Sequence, residues 1–433
     1  MNSMHKTSFR HVRGFGLVEI MVGMVVGLIS MLVIMQVYSV FEGQKRATTS
    51  GSDAQTNGAL ALYLMEREVR AAGNGMTEGE PQKYPPLAGC LTRVFHTAPY
   101  LTPNAVAPFI STLKAAGSSA DVRFAPVIVS DGGGGLSDSL TVVYGSSSVT
   151  APYTLSTAYV PGTINLTSAA GIDPKDMVAL IDRDPNPALT VSGNYITPSR
   201  CSLLQVTAVS PAGVLTVTDS YSSQAYTDDA RLYNLGQLSL VTYRVNSNNL
   251  VADSTKFGVI PDGGAGTAVV NRTDFSPLAA NVVNMQVQYG VDTGNPNGPI
   301  QQSCKIDAPG TALTVADPDA IVDSWVDATG NWANNGSTLP SLFDLRRVRA
   351  IRIGLVARSG IKATGTADDP CNTAAPTIHW DSGPDMTPDL SSDTDWQCYR
   401  YKVFQSTIAV RNALWSGTMN PASSASCGLR NPN

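Results

Sequence analysis

The chain has 433 residues, 43% of them hydrophobic and only 15% charged, with 38 Gly and 27 Pro. That length allows one large domain or two to three ordinary ones, and that composition favours a strand-and-turn surface over a salt-bridged helical one. The formal net charge is -5, from 29 basic against 34 acidic residues, and a mildly acidic body has no electrostatic footprint for phosphate backbones, which excludes nucleic acid as a default partner.

The first predicted element is apolar. From Phe15 to Phe41 the one charge is Glu19, with little polarity beyond Ser30, Gln36 and Ser39. As a helix rising ~1.5 Å per residue this stretch is about 40 Å long, more than the ~30 Å of a hydrocarbon core. Lys6, Arg10 and Arg13 lie on its N-terminal side, so the positive-inside bias keeps that end cytoplasmic and sends everything after Phe41 outward, in a bacterium to the periplasm. An ordinary secretory signal has a shorter apolar core and a small-residue cleavage site after it. Here EGQKRATTSG follows, without an A-x-A, and a small residue, Gly14, instead separates the basic leader from the apolar run. Cutting after Gly14 removes the leader, keeps the helix and creates an α-amino group on Phe15. A carboxylate in hydrocarbon costs several kcal/mol unless paired. The new amine, on the same helix or on a neighbour packed alongside, is a natural partner for Glu19. The bland alternative is a lone acid that snorkels or protonates at the interface.

The helix is expected to continue as an amphipathic second half over residues 42–75. No proline occurs until Pro81, and Leu62, Met65, Val69 and Ala72 recur at the spacing of one helical stripe. This half is expected to lie on a sheet and end at Gly73 as a cap. Gly43, Gly51 and Gly58 predict a weak, partly unwound middle. Strands are predicted at 139–145, after the glycine run 132–135 read as a flexible turn, and at 177–182, 203–209, 214–220, 238–245, 285–292, 348–358 and 401–412. Alternation places Ile351, Ile353 and Leu355 on one face of their strand, and Phe404, Ile408 and Val410 on one face of theirs. Long polar links at 293–340 and 359–397 suit large surface loops.

Six cysteines, Cys90, Cys201, Cys304, Cys371, Cys398 and Cys427, follow the apolar segment without a CxxC pair, which fits disulfides in an oxidising compartment. Six allow fifteen connectivities, and closeness along the chain favours pairing among the last three. The search for chemistry returns nothing. His96 and His379 have no G-x-S-x-G elbow to serve, the glycine run has no P-loop lysine, and Asp292 with Asn295 and Asn297 is out of calcium-loop register. No enzyme, cofactor or metal is expected. Trp325, Trp332, Trp380, Trp396 and Trp415 fit either a partner surface or core packing.

Gly14, Phe15, Leu17 and Glu19, after a basic leader and before a long apolar helix, resemble the class III signal of type IV prepilins and pseudopilins. Gly16 stands where Thr or Ser is usual, and the proline that kinks many major pilin helices is absent. LMEREVRAAGNGM (64–76), DSLTVVYG, PLAANVVNMQVQYGVD (277–292), RRVRAIRIGLVARS (346–359) and CYRYKVFQSTIAVRNALW (398–415) follow in the order seen in PilW-type minor pilins, relatives of the J-type pseudopilins of type II secretion. The resemblance implies an α+β, type IV pilin-like fold: a long N-terminal helix, transmembrane in its first half, packed on an antiparallel sheet with an enlarged β-rich head. It implies a cleaved leader (1–14), a transmembrane and assembly helix (15–41), the amphipathic half (42–75) and a periplasmic head (76–433), variable over about 80–270 and family-like over about 271–433. It further implies cleavage after Gly14 by a prepilin peptidase, N-methylation of Phe15, and subunit docking through Glu19. The partners so implied are other minor pilins, the major pilin, a tip adhesin and inner-membrane lipid; the implied role is a tip complex that primes pilus assembly. A J-type pseudopilin or a membrane-anchored adhesin is the alternative.

Overall fold

The computed structural model describes residues 16–76, 91–94, 122–123, 125–149, 151–181, 200–217, 226–257, 276–293, 321–333, 345, 347–363 and 371–414. Its first element is one continuous helix of 55 residues, α1 (Leu17–Ala71). The expected weak middle is absent, since α1 runs unbroken through Gly43, Gly51 and Gly58. At Gly58 the reason is packing: an added Cβ would collide with the Phe404 ring, so glycine is what lets helix and strand approach this closely. Met65, Val69 and Ala72 are buried as their spacing predicts. Ala61 rather than Leu62 completes the buried line, and Leu62 is half-buried beside it. The helix ends at Gly73, whose φ of 76° is the left-handed conformation of a C-terminal stop. The Gly73 N–H donates to Val143 O at 2.8 Å, and Gly145 N–H to Asn74 O at 2.8 Å, fixing the helix end to the sheet beneath.

Among the described residues three sheets follow, antiparallel but for one pairing. The first contains β3 (Val127–Ser130), β4 (Ser139–Gly145), β11 (Leu238–Asn246), β12 (Asn249–Phe257) and β13 (Ser276–Ala280), in the spatial order β13-β12-β11-β4-β3. The second contains β1 (Leu91–Val94), β2 (Val122–Arg123), β5 (Tyr153–Thr154), β6 (Thr163–Asn165), β7 (Met177–Ile181), β8 (Arg200–Val209), β9 (Val214–Val217) and β10 (Arg231–Gly236), with β1 parallel to β8. The third is β15-β14-β16-β17, made of β14 (Val282–Val291), β15 (Ser324–Val326), β16 (Val348–Arg358) and β17 (Tyr401–Ala409). This is an α+β chain.

The chain changes sheet at two sharp points. Asn281, with φ 61°, carries it from β13 straight into β14. Gly236, with φ 62°, carries it from β10 towards β11, where an added Cβ would meet Ser146 Oγ at 2.8 Å. Gly145 of β4 pairs with Leu238 of β11, and Ser146 N–H donates to Leu235 O at 2.9 Å. Residues 146–237 therefore leave and rejoin the first sheet at one corner.

Ile351, Ile353 and Leu355 of β16 face α1 in a core shared with Phe404, Ile408 and Val410. Alternation would leave the opposite face wet, yet all eleven residues of β16 are buried. Residues 371–400 fold over that second face: an added Cβ at Gly354 would lie 2.8 Å from Ile378 Cδ1 and 3.1 Å from Trp380 Cη2. The glycine run, expected to be flexible, belongs to the same cover. Asn284 Nδ2 on β14 donates to Gly135 O at 3.0 Å, and so does Asp389 N–H at 2.7 Å.

Candidate functional site: the N-terminal helix and the sheet it lies on

Every residue from Gly16 to Phe41 is exposed, among them Leu17 at 75% and Met24 at 66%. The span Leu17–Glu42 is 26 residues long with a mean hydropathy of 2.6, long and apolar enough to cross a membrane. Leaving each such side chain in water costs about 1.5–3 kcal/mol relative to burial, so this half of α1 suits a nonaqueous surrounding. Glu19 lies in its first turn, where its N–H donates to Gly16 O at 2.9 Å. The carboxylate has no hydrogen-bond partner among the described residues. An acid in the first turn is favoured by the positive end of the helix dipole.

The second half of α1 rests on β17, β16 and β13. Asn57 Nδ2 donates to Ala280 O at 3.2 Å, the Phe404 ring fills the gap at Gly58, and Asn412 Nδ2 donates to Ala72 O at 2.8 Å. Beneath this contact the third sheet carries buried charge. Arg349 Nε donates to Asp292 Oδ2 at 3.1 Å. Arg352 Nε donates to Gln288 Oε1 and its Nη1 to Ser382 O, both at 2.5 Å, and its guanidinium lies 4.8 Å from the Trp325 ring centre and 4.5 Å from that of Trp380. Burial pushes the Arg352 pKa down to about 10, with Asp327 and Asp381 acting the other way. Asp138 accepts from Gly132 N–H at 3.0 Å and Val287 N–H at 2.7 Å. Its burial outweighs those two donors and pushes its pKa up to about 7. A disulfide, Cys371–Cys398, with a sequence separation of 27, closes the cover over this face.

Residues 264–412 match the family model described as type IV pilus-assembly protein W, PilW. That stretch is similar to a PilW domain. It takes in the whole third sheet, the disulfide-closed cover and β17, the strand closest to α1. No curated protein and no solved structure compared with the chain gave a match. The PilW match points to a part in type IV pilus assembly, and the apolar helix fits a membrane anchor.

Of the predicted site residues, Gly14 and Phe15 lie outside the described residues, as do Cys90, Cys304 and Cys427. Cys201 is on β8, and Cys371 and Cys398 are joined. Three tryptophans make internal contacts: Trp325 and Trp380 flank Arg352, and Trp332 packs on Tyr289 at 5.5 Å between ring centres. Trp396 opens a short turn, and Trp415 lies outside the described residues. His379 Nδ1 is 2.8 Å from Asp385 Oδ2 at the surface, and His96 lies outside the described residues. Asp292, weighed as a calcium ligand, is instead the partner of Arg349. The sequence reading missed Asp138 and Arg352. Their only signal was a charged residue beside or within a strongly apolar strand.

Proposed function

We propose that this chain is a membrane-anchored minor pilin whose N-terminal helix docks it among other pilin-like subunits. The observation carrying this reading is the continuity of one helix. Its first half is bare and apolar, and its second half lies on the PilW domain, so whatever holds the anchor also holds the head. In this reading a prepilin peptidase cuts after Gly14, Phe15 becomes the methylated N-terminus, and Glu19 pairs with the amine of a neighbouring subunit and sets its axial stagger. The head then joins other minor pilins in a tip complex in the periplasm that primes the filament. No feature among the described residues favours the pseudopilin or adhesin alternatives over this one.

The test is direct. Mass spectrometry of the mature protein is expected to find a methylated Phe15 at its start. Glu19→Val is expected to leave cleavage and membrane insertion intact while abolishing co-purification with partner pilins. A mature chain that starts elsewhere removes the processing step, and unchanged co-purification removes the docking role of Glu19.

A further inference from the structure

β17 is the edge strand of the third sheet. Val410 N–H donates to Arg349 O at 2.9 Å and Ser359 N–H to Arg400 O at 2.8 Å. In an antiparallel ladder the bonded positions recur every second residue, so Lys402, Phe404, Ser406 and Ile408 bond to β16. Tyr401, Val403, Gln405, Thr407 and Ala409 direct their N–H and C=O groups away from the sheet. Among the described residues no strand meets them. Native proteins usually protect such edges with prolines, bulges, charges or short strands. β17 is nine residues long, contains no proline, keeps an unbroken register with β16, and has Lys402 as its one charged side chain.

The direction of β17 narrows the occupant. Phe404 lies against Gly58 and Asn412 bonds to Ala72, so strand and helix advance together, ~26 Å along the one and ~21 Å along the other. β17 therefore runs parallel to α1, away from the anchor. Two copies paired antiparallel through this edge would have their anchors pointing in opposite directions. Two copies related by a two-fold axis along the strand would set N–H against N–H at each level. A second copy of this chain thus fits the edge in neither arrangement. A different subunit standing in the same membrane, with an extended segment returning towards that membrane, fits it.

We infer that the outer edge of β17 is a strand-docking site, filled in the assembly by a membrane-directed extended segment of a neighbouring, different pilus subunit. The inference rests on the pilus-assembly reading. Main-chain bonds supply the affinity in such a pairing, and the side chains of Val403, Gln405 and Thr407, which share the face of β17 away from α1, supply the selectivity.

The test uses the full-length chain in its own membrane with a photo-crosslinking residue at Thr407, and in a separate chain at Tyr63, which is 62% exposed on the head half of α1. The Thr407 probe is expected to capture a different membrane-anchored subunit, with the crosslink mapping to an extended segment. Gln405→Pro removes an outward N–H and leaves the β16 ladder intact. It is expected to cut the Thr407 yield at least about tenfold, whereas Gln405→Ala leaves it within about twofold, the thermal midpoint being unchanged in both. Capture of the chain's own copy, equal yields in the two variants, or no Thr407 product overturns the docking site. If Tyr63 still captures pilus subunits, the pilus-assembly reading survives that failure. If neither probe captures one, both fall together.

Discussion

Gly58 and Gly51 show how the same residue type in one helix answers to different physics. At Gly51 no atom lies within 4 Å of an added Cβ, whereas at Gly58 the Phe404 ring already occupies that space. Gly51→Ala is therefore expected to stabilise the protein by up to about 1 kcal/mol through helix propensity. Gly58→Ala is expected to destabilise it by about 1–3 kcal/mol through overpacking. Thermal unfolding of the detergent-solubilised chain checks both, and two shifts of the same sign would contradict the packing account. Asp138 makes a second residue-scale case. Its carboxyl titrates from 3.8 when free to about 7 in the fold because burial disfavours the charged form. A raised folded pKa means that this group's stabilisation is complete below about pH 4 and is lost as pH rises through about 7. Asp138→Asn sets an NH2 group against one of the two backbone donors, which is expected to lower stability by about 1–3 kcal/mol. It is also expected to flatten the fall in stability between pH 4 and 7. Denaturant titrations across that window would show an unaltered slope if Asp138 were already ionised.

Among the elements, the third sheet is where local pattern and tertiary context part. β16 matched its predicted bounds of 348–358 because Val348, Ile351, Ile353 and Val356 with Leu355 make an apolar, β-branched-rich stretch, a strong strand signal. Its period of two correctly placed Ile351, Ile353 and Leu355 on the α1 side. What the period could not disclose is the cover on the other face, since residues 371–400 read as a polar loop, bury only Ile378, Pro388 and Leu390 of their own, and are closed by a crosslink between distant positions. The expected outcome of replacing both Cys371 and Cys398 with Ser is a loss of about 3 kcal/mol, from the loop closure that the bond supplies to the unfolded chain. Tryptophan emission is expected to shift to the red as Trp380 leaves Arg352, and unchanged emission would mean that packing alone holds the cover. β12 was missed for another reason. Its residues Asp253, Ser254, Thr255 and Lys256 are polar, and its hairpin is set by Ser247 and Asn248 at φ 49° and 62°, a turn conformation that a Ser-Asn pair signals weakly. At the candidate site, Glu19 was legible because one acid in an apolar run is conspicuous. The closeness of α1 to β17 was not legible, because Gly58 looked like a helix breaker.

At the scale of the whole molecule, the described residues build three hydrophobic clusters. Residues 146–237 leave between β4 and β11 and possess a core of their own, built from Ile164, Leu180, Leu204, Leu215 and Leu232. A second cluster, with Met177, Ala179, Leu203 and Tyr233 on one side and Ile128, Val143, Leu238 and Leu240 on the other, joins that excursion to the first sheet. The α1 contact belongs to a third cluster, with Met65, Val69, Ile353 and Ile408. The joining cluster includes neither Leu215 nor Met65, so it stands between the excursion and the α1 contact. Leu215→Ala creates a cavity expected to cost about 2–5 kcal/mol, and that cost falls first on the excursion. Hydrogen exchange is expected to accelerate in β7, β8 and β9 while β14 and β16 keep their protection, because local opening follows the cluster that was weakened. Val287→Ala, in the third sheet, is expected to do the reverse. Should Leu215→Ala accelerate exchange uniformly, the joining cluster would make the head one cooperative unit, and the excursion could not change without disturbing the sheet on which α1 lies.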